Sequence, residues 1–136
     1  MLSSYRYSRL VQFADTDLAG VVHFTWIAKY MEEAEHALWR AAGLTIAPAD
    51  SPLRYPRVSI TIDFKAPLYF EETVEDHVTV TAMSRRAIRY AHTLTRGDTI
   101  IATGTMTAVC VKQDVSGMQA TDLPDDVRAK LAVMPS

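Results

Sequence analysis

Apolar residues change their spacing along this chain. Between Phe24 and Ala42, the residues Ile27, Tyr30, Met31, Ala34, Leu38 and Ala41 recur three and four positions apart, the period of one helical face. Lys29, Glu32, Glu33 and Arg40 fall off that stripe, and Gly43 stands where a C-terminal cap belongs. The pattern predicts one long helix. From residue 58 the period becomes two: Val58, Ile60, Ile62 and Phe64 alternate with Ser59, Thr61, Asp63 and Lys65, as in a half-buried strand. Three more β-rich runs cover 73–83, 86–95 and 100–112, and Arg96-Gly97-Asp98-Thr99 has tight-turn composition. An earlier run over 5–13, rich in Tyr, Leu, Val and Phe, predicts the first strand. Residues 14–22 form a loop, and 44–56, with Pro48, Pro52 and Pro56, a loop with a short turn. Residues 113–136 predict a loop and a short helix around Pro124–Leu131 that frays at its end.

The resulting order is strand, long helix, then four consecutive strands. Short connections between those four favour an antiparallel sheet. A single helix cannot hide its apolar stripe alone, so the sheet is expected to curve around it. The expectation is an α+β fold in which a curved antiparallel sheet wraps a long central helix. The edge strands of such a sheet need partners, which predicts a homodimer formed by sheet extension.

Composition narrows the class. A chain of 136 residues suits one domain over its whole length. With 49% apolar and 22% charged residues it has a globular balance. A net charge of -2 argues against a nucleic-acid partner. The one cysteine, Cys110, lies between Val109 and Val111 and reads as a buried thiol, not half of a disulfide. The N-terminal residues lack an apolar signal core, and no run approaches membrane-spanning length. A cytoplasmic protein without membrane contact is expected.

The candidate chemistry sits in Phe13-Ala14-Asp15-Thr16-Asp17-Leu18-Ala19-Gly20-Val21-Val22, directly before the helix. This stretch resembles the signature of hotdog-fold acyl-CoA thioesterases of the 4-hydroxybenzoyl-CoA thioesterase type: aromatic, small, Asp, x, Asp, x, x, Gly, hydrophobic, Val, then a long helix. Tyr30-Met31-Glu32-Glu33-Ala34 resembles that family's aromatic-then-acidic helix segment, and Ile62-Asp63-Phe64-Lys65-Ala66-Pro67-Leu68 its strand ending in Ala-Pro. The resemblance implies a hotdog domain that hydrolyses acyl-CoA thioesters to free acid and CoA, with no cofactor beyond the CoA of the substrate. It implies aromatic acyl groups such as hydroxybenzoyl or dihydroxynaphthoyl, and leaves aliphatic ones open. Homodimers or homotetramers are expected.

By the same resemblance Asp17 is the catalytic carboxylate, either attacking the thioester carbonyl or acting as general base for water. On its residue type alone it reads as another loop acid binding backbone N–H groups. Backbone N–H groups near His23 and Phe24, at the positive end of the helix, would hold the developing oxyanion. The His23 ring could be a base or a packed, hydrogen-bonded group. Asp15 reads as a turn or capping acid. Gly20 lets the chain turn closely and leaves room for the acyl group, and Val21 and Val22 would help line its pocket. Glu32 and Glu33 are alternative bases, or a solvated helix face. Trp26 departs from the family pattern, which often has Asn there; it is expected to reshape the acyl pocket or the subunit contact. Arg85, Arg86 and Arg89 form a basic group suited to the phosphates of CoA, or a solvated turn. Alternative functions are a non-catalytic acyl-CoA-binding module and a hotdog dehydratase. The four histidines are too scattered for a metal site.

Overall fold

A computed structural model describes residues 1–135. Its main sheet has five antiparallel strands in the order β1-β4-β5-β6-β3: β1 (Ser4–Leu10), β3 (Arg57–Phe64), β4 (Thr73–Met83), β5 (Ala87–Arg96) and β6 (Thr99–Val109). The helix α1 (Phe24–Ala41) lies in the concavity of this sheet, the hotdog arrangement. Residues alternate cleanly where the sheet is central. Along β5, Ile88, Tyr90, His92 and Leu94 are buried against α1, and Arg89, Ala91 and Thr93 face outward. From the helix, Tyr30, Met31, Ala34 and Leu38 fill the space above Val78, Val80, Leu94, Ile101 and Met106. Trp39 Nε1 donates to Tyr90 Oη at 2.8 Å, which gives the buried indole its acceptor.

Gly43 ends α1 with a φ of +80°, and the Leu44 N–H returns to Trp39 O at 2.8 Å, so the last carbonyls are capped as the glycine predicted. The β5–β6 hairpin turns at Gly97, whose φ is +58°.

Several expectations need correction. The first strand ends at Leu10, and Phe13–Asp15 is instead one turn of 3-10 helix. Ala41 is exposed, whereas Glu35, Ala37 and Trp39 are buried. The covered arc of α1 is wider than one stripe because residues 44–55 lie over its C-terminal half, with Tyr55 edge-on to Trp39 at 5.0 Å. The apolar side of β3 is not half-buried along its length: Val58 is 62%, Ile60 46% and Phe64 54% exposed. The reason is that β3 is an edge strand with no neighbour beyond it. The strand run expected over 100–112 breaks at Cys110, where the chain leaves the main sheet, and a second, three-stranded sheet forms from β2 (Leu53–Arg54), β7 (Val111–Asp114) and β8 (Gly117–Ala120), of which β2, β8 and the end of β7 fall in regions read as loop. The short helix near the C-terminus is α2 (Asp125–Lys130).

Candidate active site

The loop before α1 is a stack of small, specific turns. The Asp17 N–H donates to Val21 O at 2.8 Å and the Gly20 N–H to Asp17 O at 3.0 Å. Gly20 has a φ of +80°, the left-handed region that a side chain resists. A Cβ there would meet nothing within 4 Å, so backbone conformation, not room, is what asks for glycine in this chain. Val22 then pins the loop to the chain after β3, its N–H donating to Leu68 O at 2.8 Å.

Asp17 is exposed at the tip of this turn, and among the described residues its Oδ1 accepts only the Ala19 N–H, at 2.8 Å. Its carboxylate is therefore anchored on one oxygen and open on the other. Seven residues later α1 begins. His23 is its N-cap: the ring Nδ1 lies 2.8 Å from Thr25 Oγ1 and accepts the Thr25 N–H at 3.4 Å, while the ring stacks on Phe24 with centroids 4.6 Å apart. That nitrogen is committed to capping. The His23 N–H goes to Asp15 O and the Trp26 N–H to His23 O, both at 2.9 Å. The Phe24 N–H is left without an acceptor among the described residues. It points from the positive end of an 18-residue helix.

Beside this helix end lies a cavity of about 320 Å³, walled by Val21, Val22, Phe24, Ile27, Leu68 and Ile101, with Lys65 at its margin. The Phe24 and Phe64 rings meet edge to face at 6.4 Å and separate it from an apolar groove between α1 and β3, about 330 Å³, that includes Ala28, Ile60 and Ile62. Asp17 and Gly20 stand outside the cavity wall, on the loop that leads into it.

Two sequence expectations land elsewhere. Trp26 lines neither cavity. It lies between two cations, with Arg9 at 6.0 Å and Lys29 at 5.3 Å from its ring, and tilts against Tyr30 at 6.1 Å. Arg85 and Arg86 lie in the β4–β5 turn and both pair with Asp122, at 3.1 and 3.4 Å. Arg89 faces away from α1. The cavity adjoins the opposite end of β5, where Arg96 Nη1 donates to Pro67 O. Ten residues of strand, roughly 33 Å, separate the two ends. Within one chain this basic turn does not reach the site. Glu33 is tied down by Tyr7 Oη at 2.6 Å and Arg9 Nε at 3.0 Å, and Glu32 is exposed along the α1–β3 groove. Burial and the Glu33 carboxylate push the Tyr7 hydroxyl up to about 12.

Sequence reasoning did not find a buried polar chain between helix and sheet. His92 of β5 presents Nδ1 to Asp76 Oδ2 and Nε2 to Glu35 Oε2, each at 2.7 Å, and Arg57 Nη2 binds the other oxygen of Glu35. The signal was available: Asp76 and His92 occupy inward positions between Val74 and Val78 and between Tyr90 and Leu94. These groups converge on one imidazole, and no set of three among the described residues is arranged to hold a metal ion.

The sequence pattern of the thioesterase-like superfamily matches residues 11–131. The chain belongs to that superfamily and is a hotdog-fold thioesterase. Along 135 residues it is 27% identical to the 1,4-dihydroxy-2-naphthoyl-CoA hydrolase of Synechococcus elongatus, covering 97% of this chain and 98% of the relative. Among solved structures it resembles a gentisyl-coenzyme A thioesterase (27% identity, TM-score 0.83, 94% of this chain and 100% of that one). A 1,4-dihydroxy-2-naphthoyl-CoA thioesterase from Synechocystis shares the fold with a TM-score of 0.85 at 23% identity, over 93% and 94% of the two chains.

Proposed function

We propose that this thioesterase hydrolyses aromatic hydroxyacyl-CoA thioesters, of the 1,4-dihydroxy-2-naphthoyl or gentisyl kind, to the free acid and CoA. The observation that carries the reading is the exposed Asp17 carboxylate on the turn that leads into α1, whose first N–H, that of Phe24, has no acceptor among the described residues and belongs to the wall of an apolar cavity. The acyl group would enter the cavity between Val22, Ile27 and Leu68. The thioester oxygen would face the Phe24 N–H, where the helix dipole favours the negative charge that develops on it. Two routes fit the same carboxylate. Asp17 attacks the carbonyl carbon, the C–S bond breaks, and water then opens the anhydride; or Asp17 takes a proton from water that attacks directly. In both, the CoA thiolate leaves and is protonated, and no cofactor is required.

The working form would be a dimer built on β3. Its exposed Val58, Ile60 and Phe64 and its unpaired edge support this. A two-fold axis pairing two copies of one edge makes them antiparallel, so the Arg57 end of one β3 would lie beside the Phe64 end of the other. The basic turn of each chain, Arg85 and Arg86 with Arg89 nearby, would then sit at the end of the assembly that carries the other chain's Asp17, where CoA phosphates could meet it. We place the protein in the cytoplasm, which suits its single, buried, unpaired cysteine. None of the described helices is long and apolar enough to cross a membrane.

The test is thiol release from a panel of CoA thioesters, aromatic and aliphatic. Turnover of the hydroxyaryl esters above the aliphatic ones supports the reading. Tight binding of CoA esters without thiol release would make the protein a sensor instead.

A further inference from the structure

Asp17 makes no hydrogen bond to α1, yet its proposed role depends on standing correctly against the first N–H of that helix. The contacts that tie the two together lie two residues earlier. Asp15 is 1% exposed, and a single oxygen of it, Oδ2, collects three donors: Tyr30 Oη at 2.6 Å, the Gln12 N–H at 3.0 Å and Arg9 Nη2 at 3.4 Å. Tyr30 projects from the second turn of α1 and is fully buried. Meanwhile the carbonyl of Asp15 accepts the N–H of His23, the helix N-cap, at 2.9 Å. Asp15 is thus bolted to the helix at two heights, through its side chain to Tyr30 and through its backbone to His23. The Arg9 guanidinium lies over the Tyr30 ring at 5.2 Å and closes the bracket from β1.

We infer that Tyr30 and Asp15 are positioning residues for catalysis: their buried hydrogen bond sets where the Asp17 carboxylate stands relative to the Phe24 N–H. The inference rests on the role proposed for Asp17. Its physical basis is the short lever between them. One residue, Thr16, separates Asp15 from Asp17, and the turn beyond is closed by its own hydrogen bonds, so a shift of Asp15 carries the whole turn with it. Burial and the adjacent Asp15 carboxylate raise the pKa of the Tyr30 hydroxyl, so it remains the proton donor to Asp15 throughout the working pH range. Small displacements of a reacting group cost rate much more than they cost binding.

The experiment measures kcat, KM and Tm for Tyr30→Phe, Tyr7→Phe, Asp15→Ala, Asp15→Asn and Asp17→Asn on 1,4-dihydroxy-2-naphthoyl-CoA. Tyr30→Phe is expected to lower kcat by about tenfold or more with KM changed by less than about twofold. Tyr7→Phe removes a comparable hydroxyl whose partner is Glu33 and not Asp15, and kcat should stay within about twofold of wild type. Asp15→Asn keeps an oxygen for Tyr30 and should recover most of the rate that Asp15→Ala loses; this comparison decides the matter if Tyr30→Phe folds poorly. Equal losses in the two Asp15 variants, or an unchanged kcat in a folded Tyr30→Phe, overturn the inference. If Asp17→Asn itself retains full turnover, the role of Asp17 fails first; if it is inactive while folded Tyr30→Phe is normal, only the bracket fails.

Discussion

His92 and Glu35 meet at 2.7 Å in the centre of the protein, and the other ring nitrogen of His92 lies 2.7 Å from Asp76. A neutral imidazole has one N–H and can satisfy only one of two carboxylates. Both contacts are hydrogen bonds when the ring is protonated. Burial works against that charge, but the bonds to Asp76 and Glu35 override it and hold His92 up to about 9. Burial also raises the Asp76 carboxyl, whose Oδ1 has no partner among the described residues. With Arg57 on the second oxygen of Glu35 and Tyr90 beside the ring, the group joins α1, β3, β4 and β5.

A pH dependence follows from this. The folded His92 binds its proton more tightly than the unfolded chain does, so its stabilisation is complete below about 6.5 and is lost as pH rises through about 9. Asp76, raised by burial, also favours the protonated side. Urea midpoints measured from pH 6 to 10 should therefore fall across that window. In His92→Phe the window should flatten, and stability at pH 7 should drop by about 3–5 kcal/mol, because buried Asp76 loses its side-chain partner and buried Glu35 keeps only Arg57.

Gly104 on β6 permits the close approach of β3. A Cβ at this position would stand 2.4 Å from the Thr61 carbonyl oxygen and 3.0 Å from Met31 Cε. The oxygen belongs to the neighbouring strand's backbone and cannot turn aside. Gly104→Ala should cost about 1–3 kcal/mol in chemical denaturation. A change of a few tenths would mean that the strands separate without strain.

The edge of β3 should be a subunit contact. Ile60→Lys places a charge in the middle of its exposed apolar side, next to the groove with Ala28. Sedimentation should move from dimer to monomer, with activity falling in parallel. A wild-type monomer would rule out the β3 dimer.

Arg85→Ala with Arg86→Ala should raise KM for CoA esters while leaving kcat near wild type, since phosphate contacts bind substrate and transition state alike. A pantetheine thioester, which lacks the nucleotide, should be hydrolysed equally by both proteins. A loss of kcat would place these arginines closer to the chemistry.

The parts of the fold legible in the sequence are those with a long, regular period. The apolar spacing from Ile27 to Leu38, closed by Gly43, marks α1, and two-residue alternation marks β3. Strands β2, β7 and β8 have four residues or fewer, too short for a period to register, and the pairing of β2 with β7 joins residues distant in sequence. Alternation on β3 indicates which side faces inward but not whether anything covers it. The loop before α1 was legible from its Asp, Thr and Gly composition, and the role expected of Asp17 came from the family resemblance. A turn or capping acid at Asp15 could be read; its bond to Tyr30 fifteen residues away could not. Charged residues at inward positions, Glu35, Asp76 and His92, look like breaks in the pattern until their mutual distances are known.

The role proposed for the Asp17 carboxylate is to perform the hydrolysis. Its most direct test is single-turnover hydrolysis of 1,4-dihydroxy-2-naphthoyl-CoA by wild type and Asp17→Asn at matched, saturating enzyme. The amide can still accept the Ala19 N–H through its oxygen, so the turn should persist, but it has no carboxylate to attack or take a proton. Asp17→Asn should show an unchanged Tm, retained binding of the ester, and a rate lower by about a hundredfold or more. A folded Asp17→Asn that releases thiol at the wild-type rate would contradict that role.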